Sequence, residues 1–319
     1  MTIRVGIIGL GIMGRRMAQR MVDHGGFAVV AGWDPDPLAV AATRELAPEM
    51  DGRAGADQLV ATADLDLVYV ASPPATHLAH AALAFDAGKP VLCEKPLAVD
   101  LREAERMVER VDRENLRAAV NYPIASTAAL AYMAEALRSE ALGRIRAGHV
   151  EAAFRTWPRP WQQAAAFWLD GRAEGGFTRE VVSHFLFVLR RLLGPLDVLD
   201  SKVSYPEEDR SERELTAKVT AGGVLITLSG HVGRIEADDR NSTMVEGEDG
   251  ALRLANWTTL ERGTATGWVP VPEAKDPRPV GHRHLDAVAD WLAGRPHPLA
   301  SFGEALEVQR TVERLLAGV

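Results

Sequence analysis

The chain has 319 residues, is 47% hydrophobic and 25% charged, and carries a formal net charge of −8. That length exceeds one ordinary core and suits two domains. The acidic balance, with Lys and Arg scattered, argues against a nucleic-acid partner, because neutralising phosphates needs clustered positive charge. The single cysteine, Cys93, rules out an internal disulfide and lies in a short apolar run as a small buried residue. The opening residues lack a basic segment followed by a long apolar stretch, so no signal peptide is expected. The apolar run 181–193 is too short and too interrupted, by Ser183, His184, Arg190 and Arg191, to span a bilayer. A cytoplasmic protein without a membrane partner is the expectation.

In chain order, residues 3–8 form a continuous apolar strand, followed by a glycine turn and a helix over 13–24 that Gly25-Gly26 ends. Strands are expected at 27–33, 67–71, 90–93 and 117–120. A helix fits 76–87, stopped by Gly88, and another starts at Asp100, with Glu103 completing a capping box. Strands apolar along their whole length, alternating with helices, predict a doubly wound parallel sheet covered on both faces. The fold class is therefore α/β, with a Rossmann domain over 1–121 and a second domain over 122–319.

The second half changes character. Helices are expected at 127–139 and 180–193. Short strands fit 146–154, 198–205, 214–220, 224–230, 242–246, 252–255 and 257–262, and Ala221-Gly222-Gly223 reads as a hairpin turn. Consecutive strands with short turns imply a large, mainly antiparallel sheet. Helices at about 281–293 and 303–317 close the chain.

Gly9-Leu10-Gly11-Ile12-Met13-Gly14 has the G-x-G-x-x-G spacing, and it follows a strand and opens a helix, which is the context that pattern needs. Gly9 permits a tight turn, Gly11 lets backbone approach a pyrophosphate, and Gly14 allows helix to pack on strand. The helix N-terminus offers unpaired N–H groups to an anion. Asp34, at the end of the second strand and about 20 residues further on, suits the ribose hydroxyls of NAD. It would repel the extra phosphate of NADP, and Pro35, Asp36 and Pro37 supply no compensating Arg. NAD is expected over NADP.

Two more motifs lie at the carboxyl ends of strands, where open α/β sheets bind ligands: Ser72-Pro73-Pro74-Ala75-Thr76-His77 and Glu94-Lys95-Pro96. Together with the fingerprint they resemble the family of glucose–fructose oxidoreductase, inositol 2-dehydrogenase and MocA (Gfo/Idh/MocA), over essentially the whole length. The resemblance implies that Ser72, Pro73, His77, Glu94 and Lys95 face the cofactor, with Lys95 beside nicotinamide and substrate. It also implies an oligomer, dimer or tetramer, built on an exposed sheet face.

The family's Gly-Gly…Asp-x-x-x-His segment corresponds to Gly175-Gly176…Glu180…His184, with Glu180 in place of the Asp. The i, i+4 spacing puts Glu180 and His184 on one face of a helix. A second departure is Asn121-Tyr122-Pro123-Ile124, which lacks the Arg that many relatives carry after the Asn.

The implied reaction passes hydride from a substrate C–H to nicotinamide while the attached hydroxyl loses its proton. Lys95 would stabilise the developing negative charge. His184 suits the proton acceptor, since a histidine ordinarily titrates near neutrality, at about 6.5. Glu180 would orient His184 or bind a second hydroxyl. Trp157 and Trp161 either wall the substrate pocket or pack on the sheet or a subunit interface, and Arg179 either recognises an acidic group or forms a salt bridge. His149 and His231 lie in strand patterns and read as structural. No His spacing indicates a metal.

A dehydrogenase or reductase of a small sugar, polyol or related hydroxy compound is the main reading. The alternatives are a nicotinamide-binding sensor without chemistry, and an enzyme acting on an imine, amino acid or trans-dihydrodiol.

Overall fold

The protein is described by a computed structural model covering residues 2–279 and 281–318. It has two compact units: Met1–Pro123 with Arg278–Leu306, and Ile124–Pro277 with Glu307–Val319.

In the first unit, β1 (Ile3–Ile8), β2 (Phe27–Trp33), β3 (Asp51–Gly52), β4 (Leu67–Val70), β5 (Val91–Cys93) and β6 (Ala118–Val120) form one sheet in the order β3-β2-β1-β4-β5-β6. Every pair is parallel. Val5, Ile7, Ile8 and all of β4 and β5 are buried, as a sheet covered on both faces requires. Strand order reverses between β1 and β4, so the crevice for a ligand opens beyond their carboxyl ends.

The helix Ile12–His24 ends at Gly25 (φ 74°), whose N–H returns to Met21 O and Val22 O. The helix Leu101–Glu114 is capped by Asp100, whose Oδ1 accepts from Arg102 N at 2.7 Å and Glu103 N at 3.0 Å. This is the N-cap half of the expected capping box; among the described residues, the Glu103 carboxylate makes no return bond. Between β2 and β4 the structure adds two short helices and β3, which the sequence pattern had not singled out. One is Pro37–Leu46, with Pro37 at its start and the Asp36 side chain accepting from Leu38 N at 2.9 Å.

The expected single cut near Asn121–Pro123 becomes a two-segment unit. The chain leaves at Pro123 and returns at Arg278. The return helix His282–Leu292 buries Leu285, Val288 and Trp291 in the cluster that holds Val5, Ile7, Met17, Met21 and Tyr69. At about 1.5–3 kcal/mol for each large side chain, that burial is enough to fix the helix on the Rossmann core.

In the second unit, β7 (Ile145–Phe154), β8 (Leu196–Ser204), β9 (Glu214–Ala221), β10 (Val224–Val232), β11 (Asp239–Gly247), β12 (Ala251–Ala255), β13 (Thr259–Thr264) and β14 (Gly267–Pro270) form a sheet in the order β14-β13-β12-β11-β7-β10-β9-β8. All pairs are antiparallel except β7 with β10 at its centre. The turn between β9 and β10 uses Gly222 (φ 54°) and Gly223 (φ 85°), the two positive φ values a tight hairpin demands. β13 starts at Thr259 and not at Trp257, because Asn256 (φ 46°) and Trp257 (φ 75°) are spent on the turn.

Alternation decides which face is inside: Leu215, Ala217, Val219 and Ala221 are buried while Thr216 and Lys218 are exposed. The helix Ser183–Leu193 runs through this core, with Ser183 to Leu189 all buried. Among the described residues, no helix is long and apolar enough to cross a membrane.

Candidate active site

The first unit gathers the cofactor candidates at one edge of its sheet. Backbone bonds from Gly9 N to Trp33 O (2.8 Å), Ala71 N to Ile8 O (2.7 Å), Glu94 N to Val70 O (2.9 Å) and Asn121 N to Cys93 O (2.7 Å) bring the ends of β1, β4, β5 and β6 into line. Gly9 has φ 91°, and a Cβ there would lie 2.5 Å from Ser72 N. At Gly14 a Cβ would lie 2.0 Å from Gly9 O. At Gly11 it would meet nothing within 4 Å.

Two glycines are thus required by the loop's own packing, and the third leaves an open cradle over a helix N-terminus with no side-chain cap and no acid in its first turn. A pyrophosphate fits that cradle: Gly11 to Gly14 present N–H groups, with Leu10, Ile12 and Met13 setting the turn.

Asp34 accepts from Leu10 N at 2.7 Å through Oδ2 and from Asp36 N at 2.9 Å through Oδ1, which fixes the carboxylate beside the loop and leaves each oxygen a lone pair for a ribose hydroxyl. A cavity of about 740 Å³ opens next to it. Its wall includes Arg44 and Arg53, two cations that lie too far along the chain for the sequence reading to have placed them. Both pair with Asp51, at 3.5 and 3.2 Å. His80 was also missed: it pairs with Ser72 Oγ at 3.0 Å and stands edge-on to Trp33.

His77 does not face a cofactor. It is 1% exposed, and its ring nitrogens reach Pro96 O at 2.8 Å and Ser72 O at 2.7 Å. A neutral ring has one N–H and donates to only one of these carbonyls at a time, so His77 is wedged between the loop after β4 and the Glu94-Lys95-Pro96 turn without bonding both at once. Burial pushes its pKa down to about 4, against the pull of the two carbonyls.

Lys95 is 9% exposed and Glu94 5%. Tyr69 donates a short hydrogen bond to Glu94 Oε1, Asn121 Nδ2 donates to the same oxygen at 2.6 Å, and Lys95 N donates to Oε2 at 3.2 Å. The carboxylate therefore braces the strand end that carries the lysine. Burial, reinforced by Glu94, holds the Tyr69 hydroxyl protonated well above its usual range.

In the second unit, Glu180 lies in a π-helical turn, Thr178–Val182, ahead of the helix that carries His184. The expected α-helical i, i+4 face is therefore modified, since a π turn closes on i+5. Glu180 Oε1 receives Gln162 Nε2 at 3.3 Å and lies 3.9 Å from the Arg159 guanidinium. His184 is 8% exposed and stands edge-on to Trp257, 5.3 Å between centroids, while Phe185 stacks on the same indole. Trp257 carried no sequence signal beyond an apolar residue near a strand.

The two readings left open for the Trp-rich loop resolve differently by residue. Trp157 is a core side chain, 7% exposed, donating to Leu169 O at 3.3 Å and packed against Phe154 and Phe177. That removes it as a pocket wall. Trp161 is 42% exposed under the Arg159 guanidinium, 4.7 Å from the ring centroid. Arg179 forms the salt bridge, with Glu313, and also caps Arg172 O and Gly175 O at 2.8 Å. Its guanidinium is taken up by the protein and does not serve a substrate. His149 pairs with Thr227 Oγ1 at 2.8 Å across the sheet. Among the described residues, no group of three or more His, Cys, Asp or Glu side chains is placed to hold a metal.

Residues 3–122 match the family described as "Oxidoreductase family, NAD-binding Rossmann fold" (GFO_IDH_MocA). Through this segment, a little over a third of its length, the chain is similar to the Gfo/Idh/MocA oxidoreductase family. It is 38% identical over 111 residues to an inositol 2-dehydrogenase of Agrobacterium fabrum, a match covering 34% of this chain and 33% of that protein. The match thus spans about a third of the relative's length. A levoglucosan dehydrogenase of Pseudarthrobacter phenanthrenivorans is 27% identical over 277 residues, 82% of this chain and 68% of that one. The fold is shared with the WlbA dehydrogenase of Bordetella pertussis, solved with NADH and UDP-GlcNAcA (TM-score 0.82, 22% identity, covering 99% of this chain and 97% of that one). It is also shared with an oxidoreductase of Agrobacterium radiobacter, solved with NAD+, L-tartaric acid and magnesium (TM-score 0.83, 18% identity, 98% and 95%).

Proposed function

We propose that the protein is an NAD-dependent dehydrogenase of this family that oxidises a secondary hydroxyl of a sugar, polyol or related hydroxy compound. The observation that carries the reading is Lys95, a nearly buried lysine at the carboxyl edge of the Rossmann sheet, braced from behind by Glu94 and in line with the Gly9–Gly14 cradle. NAD, when bound, supplies a two-electron acceptor for hydride.

Gly11 and the N–H groups that follow it hold the pyrophosphate, and Asp34 holds the adenosine ribose. The Lys95 ammonium donates to the reacting hydroxyl and stabilises negative charge as its proton leaves. His184 takes that proton through a ring nitrogen. Glu180, engaged by Gln162 and Arg159, orients this region and does not itself accept the proton. Trp161 supplies an apolar face suited to a sugar ring.

The reading includes a cytoplasmic homo-oligomer, dimer or tetramer, for which light scattering of the purified protein is the check. The activity is tested by incubating the protein with NAD and a panel of myo-inositol, levoglucosan, hexoses, pentitols and aldonic acids, following the absorbance of reduced cofactor. Saturable reduction with one class supports the reading. Tight NADH binding without turnover on the whole panel, or on imines and dihydrodiols in addition, favours a sensor.

A further inference from the structure

The return helix carries a buried histidine that the proposed chemistry does not use. His284 is 4% exposed, and its Nε2 lies 2.7 Å from Asn121 Oδ1. Asn121 is 1% exposed; its Nδ2 reaches Glu94 Oε1 at 2.6 Å and the Tyr69 hydroxyl at 3.3 Å. Glu94 in turn accepts the backbone N–H of Lys95. An unbroken line of hydrogen bonds therefore runs from the helix His282–Leu292, through the end of β6, to the end of β5.

The direction of that line is fixed by donor and acceptor chemistry. Asn121 Oδ1 can only accept, so His284 must donate through Nε2–H. That bond fixes which way the Asn121 amide points. A flipped amide would set Oδ1 against the Glu94 carboxylate, two acceptors within bonding distance. With the amide fixed, Oε1 receives two donors, Oε2 receives the Lys95 peptide, and Glu94 is held in one conformation. Arg20, on the helix Ile12–His24, adds its positive charge to the same side, interacting with both Glu94 and Tyr69.

A core that needed only stability would hold apolar residues here, since replacing a buried charged group by well-packed apolar ones is often neutral or better. The polar line ends instead at the lysine.

We propose that His284 is a positioning residue for Lys95, acting through Asn121 and Glu94 to fix the strand end from which the lysine projects. This rests on the reading of Lys95 as the catalytic lysine. The family match stops at residue 122, so the inference concerns a helix that the match does not reach. Gln at position 284 keeps an N–H to offer Asn121, and Leu does not.

The experiment compares His284→Leu and His284→Gln with wild type, using NAD and myo-inositol, or the polyol of the panel that is oxidised fastest. His284→Leu is expected to lower kcat by about 10- to 100-fold, the scale of a small misplacement at a reacting centre, with polyol KM and NADH affinity within about 3-fold. His284→Gln should return kcat to within about 3-fold of wild type. In a Glu94→Gln background, adding His284→Leu should cost nothing further, because both act through one contact. Independently of turnover and of any variant, 15N NMR of the histidine-labelled protein without cofactor should show His284 as the neutral Nε2–H tautomer.

Wild-type kcat in a folded His284→Leu, equal losses in the Leu and Gln variants, multiplicative losses in the double variant, or a Nδ1–H tautomer each overturn the proposal. Lys95→Ala run alongside separates the two readings. If Lys95→Ala retains turnover, the catalytic assignment fails. If Lys95→Ala is inactive while His284→Leu is unaffected, only the positioning role fails.

Discussion

Arg179 and Glu313 are joined by two parallel hydrogen bonds of 2.8 Å, Nε to Oε1 and Nη2 to Oε2. The side chains are only 12% and 23% exposed, so the pair is partly desolvated. It connects the π turn that carries Glu180 to the C-terminal helix Phe302–Ala317. Glu313→Ala would strand the Arg179 charge. The cost is expected to be about 2–3 kcal/mol, below the fully buried range because solvent still reaches Glu313. Urea denaturation checks this, with polyol KM staying within about 3-fold. A raised KM at unchanged stability would return Arg179 to the substrate.

The three fingerprint glycines should separate by experiment. Gly11→Ala adds a Cβ where nothing lies within 4 Å, so stability should move by no more than about 0.5 kcal/mol. The same methyl occupies the cradle, so NADH affinity should fall at least ~10-fold. Gly14→Ala places its Cβ 2.0 Å from a backbone oxygen, and backbone must shift. A loss of about 1–3 kcal/mol is expected before any ligand is added. Calorimetry with and without NADH distinguishes the two, and a destabilised Gly11→Ala would contradict the cradle.

Asp34 should set the choice between cofactors. Removing its charge leaves Arg44 and Arg53 on the wall of the adjoining cavity. Asp34→Ser should therefore narrow the preference for NAD over NADP by ~10- to 100-fold, mainly by ending repulsion of the extra phosphate. Fluorescence titration with both cofactors measures it. An unchanged ratio would show that the ribose is read elsewhere.

Acid should destabilise the first unit through its buried histidines. Burial holds His77 and His284 each at about 4, below the ordinary 6.5. The unfolded chain binds these protons first, so stability is flat above about pH 6.5 and falls as pH drops from there to about 4. By pH 5 the loss is about 2 kcal/mol for each residue. Melting temperature against pH tests the sign, and His284→Gln should flatten the slope between pH 6.5 and 4. A steeper slope in that variant would contradict the assignment.

Much of the first unit was legible because its signals are local. A strand, a glycine turn, a helix and an acid lie within about 35 residues, and each demands its own backbone geometry. Lys95 was legible only in combination, because a lysine ending an apolar strand is equally well explained as a solvated strand end, and it is Glu94-Lys95-Pro96 together with the fingerprint that points to it. What lay beyond reach depends on contacts between distant positions.

No spacing rule links His284 to Asn121, or Arg53 to Asp34, because only the folded topology makes them neighbours. The return of the helix His282–Leu292 to the first unit is of the same kind. Its apolar face is plain in the sequence, but the core it packs against is not. Trp157 and Trp161 show the converse: two tryptophans in one loop, one in the core and one in solvent, divided by packing that composition does not encode.

The most direct test of the central claim is the turnover of Lys95→Ala. With NAD and the best polyol of the panel, kcat should fall at least ~100-fold, with NADH affinity unchanged within about 3-fold. Turnover near wild type would contradict the account, because the Lys95 ammonium is the group that stabilises the oxygen as its proton departs.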